Sequence, residues 1–366
     1  MRAAPPGTID PSTTDLTAAD PSAVDRPAGP AIELRDVSRR FDGILALDQV
    51  SLDVPRGSIL GLIGPSGSGK TTAVRLLTGI LAPTSGEVRV LGEEPRRFRR
   101  ATREQIGYVP QGFLLYPELT ASENVDFMAS LFGLQLRRRR QRVREVLELL
   151  DLWSVRGRQA SALSGGMQRR LELACAFVHD PAVLFLDEPT VGLDPLLRKS
   201  IWRELHRLRD GGRTLLVTTQ YVGEAQECDR VVLLAEGRLI AFETPEGLRR
   251  KALGGDVVEV ETDEPVDADR LAEHPVLLVD SAVTRISQRS PRSLLVVSPD
   301  GTTVTPALVD AIESSGVHVV AMRDHRPSFD DIFTMLVERD RERDDTAAAP
   351  SEGDDSPGKS PEPGRR

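Results

Sequence analysis

Apolar and polar positions change period several times along the chain, and those changes mark its elements. Ser58-Ile59-Leu60-Gly61-Leu62-Ile63 and Ala182-Val183-Leu184-Phe185-Leu186 are short continuous apolar runs, the pattern of strands buried on both faces of a parallel sheet. Ile32 to Val37 and Val50 to Val54 instead alternate in and out, which predicts a small antiparallel region at one edge. Val143, Val146, Leu147 and Leu150 recur at helical spacing. From Ala31 to about Gly255 strand-like runs alternate with helical periods, so this stretch reads as an α/β domain with a largely parallel sheet. After Gly254-Gly255 the pattern restarts with Val257 to Val260, Leu294 to Val297 and Val317 to Val320 as strands. A last helix is expected from Phe329, with Ser328 and Asp331 as a capping box and Phe329, Ile332, Phe333 and Leu336 on one face. This second unit reads as a small C-terminal α/β domain carrying no chemical motif.

Composition sets the limits of each unit. Residues 1–30 are rich in Pro, Ala, Thr and Asp, and residues 341–366 in Asp, Glu, Pro, Ser and Gly. Neither stretch has enough large apolar side chains to offset the entropy of ordering, so both are expected to be disordered tails around domains spanning 31–253 and 254–340. With 366 residues and 39% hydrophobic content the chain can bury a substantial core. It has no apolar run of 18 residues and no secretory leader pattern, which predicts a cytoplasmic protein. A net charge of −9 argues against a nucleic-acid partner. Arg137 to Arg140, with Arg142 and Arg144, read as the solvated face of a helix. Cys175 and Cys228 lack metal-ligand spacing and read as reduced thiols; the five histidines suggest no zinc site.

The chemistry begins at Gly64-Pro65-Ser66-Gly67-Ser68-Gly69-Lys70-Thr71, which fills the G-x-x-x-x-G-K-[ST] pattern without a mismatch. A strand precedes it and Thr72-Ala73-Val74-Arg75-Leu76-Leu77 continues it as a helix. That context lets backbone N–H groups and the positive end of the helix dipole converge on phosphate oxygens. Lys70 is expected to reach the β- and γ-phosphates, and the Thr71 hydroxyl to hold Mg²⁺. A second part lies at the end of the strand 182–186. There Asp187 is suited to Mg²⁺, and Glu188 is suited to accept a proton from an attacking water. A third, Ser164-Gly165-Gly166, opens a helix and offers a second set of unshielded N–H groups to an anion.

Phosphate loop, Leu163-Ser164-Gly165-Gly166-Met167-Gln168 and Leu184-Phe185-Leu186-Asp187-Glu188-Pro189, in this order, resemble the nucleotide-binding domain of ATP-binding cassette (ABC) proteins. The resemblance covers about Ile32 to Leu253. It implies a phosphate-loop core sheet with an antiparallel β-subdomain and a helical subdomain, with ATP and Mg²⁺ as cofactors. It further implies Phe41 on adenine, Thr72 beside the phosphates, Gln111 sensing Mg²⁺ or water, and Asp194 in the segment after the catalytic glutamate. In that family two domains pair head to tail, each ATP lying between one chain's phosphate loop and the other's Ser164-Gly165-Gly166. The partners implied are a second copy of the domain and an integral membrane permease, placing the chain at the cytoplasmic face of the membrane.

One position departs from the family pattern. Val217-Thr218-Thr219-Gln220-Tyr221 carries glutamine where a histidine usually meets the γ-phosphate. The Gln220 amide can donate a hydrogen bond but cannot become charged. A charge-assisted bond contributes about 1.5–3 kcal/mol against about 1 for a neutral one, so turnover should be slowed rather than abolished. Thr218-Thr219-Gln220-Tyr221 is also similar to the ATP-binding subunits of drug-resistance exporters of the daunorubicin type. An ATP-hydrolysing exporter subunit is therefore expected. A soluble ATPase uncoupled from transport, or an ATP-binding regulator, is the alternative.

Overall fold

The computed structural model describes residues 29–112, 115–275, 277, 283–299 and 301–348. The expected N-terminal tail thus lies, up to residue 28, outside the described residues, as does the C-terminal tail from 349 onward. The chain opens with β1 (Ile32–Phe41) and β2 (Ile44–Val54), an antiparallel pair, before β3 (Ile59–Ile63) enters the main sheet. The phosphate-loop segment follows and runs into α1 (Lys70–Leu77). β4 (Ser85–Val90) returns to pair with β1, giving the three-stranded order β2-β1-β4; the alternating pattern predicted an antiparallel region here but not β4. After the short α2 (Arg100–Arg103) comes β5 (Ile106–Val109), then α3 (Ala121–Leu131), α4 (Leu136–Leu149) and α5 (Gly165–Phe177), which pack on one another as a helical subdomain.

Thr120 begins α3 with a capping box: its hydroxyl accepts from Glu123 N and the Glu123 carboxylate accepts from Thr120 N. In α4 Arg137, Arg138, Arg140 and Arg144 are exposed as expected, but Arg139 and Arg142 are largely covered, and Arg142 turns inward to donate to Val178 O at 3.2 Å and Phe177 O at 3.3 Å. Arg139 pairs with Asp126 and Arg144 with Glu148, while Val143, Val146 and Leu147 are buried. The main sheet is completed by β6 (Val183–Asp187), α6 (Pro195–Asp210), β7 (Thr214–Thr219), β8 (Arg230–Ala235), β9 (Arg238–Glu243) and α7 (Pro245–Leu253). Its order is β5-β6-β7-β3-β8-β9, all parallel except the β8–β9 hairpin.

Continuous apolar strands demand cover on both faces, and both are covered. Ile59, Ile63, Leu184, Leu186, Leu215 and Val217 face a core shared with α3 to α6. Leu60, Leu62, Phe185, Leu216 and Val232 face α1 and the antiparallel sheet.

The C-terminal unit consists of β10 (Asp256–Thr262), α8 (Ala268–Ala272), β11 (Arg285–Ser290), β12 (Ser293–Ser298), α9 (Gly301–Glu313) and β13 (Val319–Asp324), followed by α10 (Phe329–Ala348). Its sheet has the order β11-β12-β10-β13, antiparallel throughout, with α8 and α9 over one face. Three expectations need correction here. β11 was not foreseen, because its residues Arg285, Ser287, Gln288 and Arg289 form a largely exposed edge without an apolar run. The strand expected from Val317 starts at Val319.

The third correction concerns the end of the chain. α10 does not close the C-terminal unit at residue 340: it passes that boundary and continues to Ala348, so the tail expected from 341 is helical over its first eight residues. Ser328 caps it as predicted, accepting from Asp331 N. Its apolar face, Phe329, Ile332 and Leu336, joins the core of the main parallel sheet with Ala241, Leu248 and Ala252 rather than the core of the second sheet. Glu and Arg are good helix formers, and Arg339, Asp340 and Arg341 find partners on the first domain. Arg339 Nη1 donates to Lys251 O at 2.9 Å, Asp340 pairs with Arg238 at 3.1 Å and Arg341 with Glu236 at 2.7 Å.

Candidate functional site

The C-terminal ends of β3, β6 and β7 bring the predicted chemistry together. The phosphate-loop backbone leaves β3 and enters α1 through Gly69, whose φ of 106° suits glycine; a Cβ there would lie 2.5 Å from Ala46 O. Lys70 is buried, and its Nζ donates to Gly64 O at 2.8 Å and Pro65 O at 3.0 Å. Burial pushes the Lys70 ammonium below its ordinary pKa, and the nearby Glu188 and Asp187 carboxylates pull it partly back. The Ser68 hydroxyl is buried with no hydrogen-bond partner, and Ser66 Oγ lies 3.4 Å from Gln220 Oε1. An ammonium, an unpartnered hydroxyl and a helix N-terminus held in one turn form a donor set suited to phosphate oxygens.

Asp187 and Glu188 stand at the end of β6, the neighbour of β7. Thr218 Oγ1 donates to Asp187 Oδ1 at 2.6 Å and accepts from Glu188 N at 3.0 Å; Glu188 N also donates to Thr218 O at 3.1 Å. Glu188 has φ = 52°, an uncommon conformation for a residue with a side chain, and the hydrogen bonds around it hold it there. Its carboxylate bridges two other predicted residues. Gln111 Nε2 donates to Oε2 at 2.9 Å, and Lys70 Nζ is 3.9 Å from Oε1. Gln111, Glu188 and Lys70, far apart in sequence, thus form one polar cluster at the loop's edge.

Ser164, Gly165, Gly166, Asp194 and Phe41 have no contact with that cluster. Ser164 and Gly165 are exposed; Ser164 caps α5 by accepting from Met167 N at 3.4 Å. Gly166 is buried against α6, where a Cβ would meet Leu197 Cδ1 at 2.6 Å. Asp194 caps α6, its Oδ1 accepting from Leu196 N and Leu197 N at 2.9 and 3.0 Å. Phe41 is partly exposed at the β1–β2 turn, opposite Ile44 and with the Arg39 guanidinium 4.4 Å from its ring centre. Thr71 and Thr72 follow Lys70 on the first turn of α1.

Two residues of the cluster's surroundings were given no role of their own in the sequence. Thr218 entered only as part of the Thr218-Thr219-Gln220-Tyr221 run, with nothing to signal its bonds to Asp187 and Glu188. Arg169 sits on α5 with its guanidinium buried beneath the Asp187-Glu188 turn. The signal available was an arginine three residues before a glutamate, Glu172, on an otherwise apolar helical face.

Known proteins with this arrangement are numerous. The family description "ABC transporter" matches residues 47–191. Two daunorubicin resistance ATP-binding proteins of Streptomyces coeruleorubidus are 37% identical over 315 residues, and the aligned part covers 95% and 98% of their length. The chain belongs to the ABC transporter ATP-binding proteins. A Nod factor export ATP-binding protein I of Sinorhizobium fredii is 42% identical to this cassette chain over 231 residues, 63% of this chain and 67% of that one. A probable multidrug ABC transporter ATP-binding protein of Escherichia coli is 38% identical over 226 residues, but the match spans only 39% of its length. Among solved structures, the dimeric post-hydrolysis form of an ATP-binding cassette bound to ADP and Pi superimposes with a TM-score of 0.53 at 29% identity, covering 58% of this chain and 98% of that one. The ATP-binding subunit of another ABC transporter gives a TM-score of 0.55 at 28% identity, covering 60% and 92%. Among the described residues no helix is long and apolar enough to cross a membrane.

Proposed function

We propose that this cassette protein hydrolyses ATP to power export through separate membrane-spanning subunits, working as a head-to-tail pair at the cytoplasmic face of the membrane. The observation that carries the reading is the Glu188 carboxylate, held between Gln111 Nε2 and Lys70 Nζ at the lip of the phosphate loop. A carboxylate held at Oε2 by Gln111, with Lys70 Nζ 3.9 Å from Oε1, can take a proton from a water aimed at phosphorus. Lys70 leaves its two loop carbonyls to meet the β- and γ-phosphates, the loop's N–H groups and the Ser68 hydroxyl surround them, and Phe41 stacks on adenine. Gln220, across from Ser66, donates to the γ-phosphate without adding charge.

Thr71, Asp187 and Gln111 fit Mg²⁺. They offer a hydroxyl, a carboxylate and the oxygen of an amide whose nitrogen is already donating to Glu188. Among the described residues no three His, Cys, Asp or Glu side chains converge as a metal cage. That suits an ion which takes one or two carboxylates and completes its shell with water and phosphate. When bound, Mg²⁺ supplies charge neutralisation at the β- and γ-oxygens.

The exposed Ser164-Gly165 pair supports the paired arrangement. An anion-binding helix start that meets no phosphate in its own subunit is available to the nucleotide of a second copy. The names of the daunorubicin resistance and Nod factor export relatives favour export as the direction. Asp194, capping α6 next to Gly166, then lies in the segment joining the two sites.

The deciding experiment is phosphate release from MgATP by the full chain and by Glu188→Gln, each with the membrane protein that co-purifies with it. The parent is expected to exceed the variant by about a hundredfold or more. Equal, negligible release would leave an ATP-binding regulator instead.

A further inference from the structure

One buried guanidinium touches both segments that carry the Gln111–Glu188 hydrogen bond. Arg169 Nε donates to Pro189 O at 2.8 Å; Nη2 donates to Glu188 O at 3.0 Å and Asp187 O at 3.4 Å; Nη1 donates to Pro110 O at 3.4 Å. Nη1 also pairs with Glu172 Oε2 at 2.5 Å, one turn further along α5. Both side chains are about 5% exposed. Pro110 is the residue before Gln111, and Gln111 is the donor to the Glu188 carboxylate. A single planar group therefore fixes the backbone at both ends of the Gln111–Glu188 hydrogen bond.

This arrangement is costly unless it does something. Taking a guanidinium and a carboxylate out of water carries a penalty that an apolar pair of similar volume would avoid. The positive φ of Glu188 adds strain that the surroundings must hold. The guanidinium meets that need because its donors lie in a rigid fork, so one side chain can hold several carbonyls at fixed mutual positions. Lysine would bring the charge as a point on a flexible stem and lose the fork. Thr218 fixes the Glu188 backbone from the N–H side and Arg169 from the carbonyl side, while Gln111 holds the carboxylate.

We propose that Arg169, oriented by Glu172, is a positioning residue for hydrolysis. It acts through Glu188, by holding the Asp187-Glu188-Pro189 turn and the Gln111 segment in register. It touches neither nucleotide nor water. This inference rests on the reading above that Glu188 accepts the proton of the attacking water.

The test is a double-mutant cycle on the full chain with its co-purified membrane partner, measuring steady-state phosphate release from MgATP for Arg169→Lys, Glu188→Gln and the two combined. Arg169→Lys should lower kcat by about ten- to a hundredfold, the scale of a misplaced catalytic group. KM for MgATP should stay within about threefold, since uniform binding is untouched. In the Glu188→Gln background the same substitution should cost nothing further. Parent-like kcat, a loss expressed in KM, or an equal loss in both backgrounds overturns the proposal. Where the lysine variant does not fold, Glu172→Gln carries the test, since it keeps an acceptor of the same shape while removing the charge. It should lower kcat alone, and parent-like kcat overturns the proposal again. A parent no faster than Glu188→Gln refutes the hydrolysis reading itself, so the two failures are told apart.

Discussion

Around the parallel sheet, charged side chains are buried: Lys70, Arg169, Glu172, Asp187 and Glu188 at the site, with Thr218 among them, and Glu204 and Glu224 away from it. In the four-stranded C-terminal sheet the buried polar side chains among the described residues are Thr262, Ser293 and Ser298, none of them charged. Its charges stand on the outer face in part-exposed pairs such as Arg289–Glu259 and Arg323–Glu261, which contribute little to stability. Both sheets solve the same packing problem, helices over apolar strands. They differ in what each keeps away from water. Single buried carboxylates such as Glu204 and Glu224 occur elsewhere in the same region, but only at the strand ends do several buried charges gather, as fixed geometry at a ligand requires.

The sharpest break of that comparison is Glu188→Gln. Phosphate release should fall by about a hundredfold or more while ATP binding, followed by equilibrium dialysis, is retained. No substitution on the outer face of the C-terminal sheet should approach that loss. Lys70→Met should weaken ATP binding by about 2–5 kcal/mol, the cost of truncating a buried charged partner, and calorimetric titration reads it directly.

α10 blurs the boundary between the two regions, which makes it informative. Leu336→Ala and Leu308→Ala each remove a buried leucine and should each cost about 2–5 kcal/mol. Leu336 belongs to the cassette core and Leu308 to the core of the second sheet. Native-state hydrogen exchange should therefore loosen α7, β8 and β9 in the first variant, and β10 and β12 in the second. Loosening confined to β10 and β12 in both would return α10 to the C-terminal unit.

Acid should also distinguish the regions. His179, stacked on Phe132 with ring centres 3.6 Å apart and Nε2 3.0 Å from Ile106 O, is pushed by burial down to about 4. Nδ1 is buried without a partner, so a second proton has nowhere to be shared. The unfolded chain takes up that proton below about pH 6.5, and the folded protein does so only near 4. Stability should thus fall as pH drops through this window, by about 3 kcal/mol in all at 1.36 kcal/mol per unit. Urea unfolding of His179→Gln should show a flatter pH profile over the same range. The smallest effect expected is that of Gln220→His. A charged imidazole facing Ser66 should raise turnover by up to about tenfold at low pH, the gain fading as pH rises through about 6.5.

The phosphate loop, the Asp187-Glu188 strand end, the Ser164 helix start and the α/β pattern were legible in the residues, because each depends on local spacing: a glycine-rich turn, an uninterrupted apolar run, a cap. β11 was not legible, since an exposed edge strand carries no apolar period, and the helical run beyond residue 340 was hidden because its composition resembles that of a solvated tail.

The sequence by itself determined which side chains are available for phosphate chemistry and on which strands and helices they lie. Only the tertiary structure decided that the Gln111 amide meets Glu188, that Thr218 and Arg169 grip its backbone from opposite sides, and that the last helix packs on the cassette. The physical reason is distance along the chain. Periods and caps act over a few residues, whereas these contacts join positions 19 to 88 apart and form only when the strands and helices that carry them lie side by side.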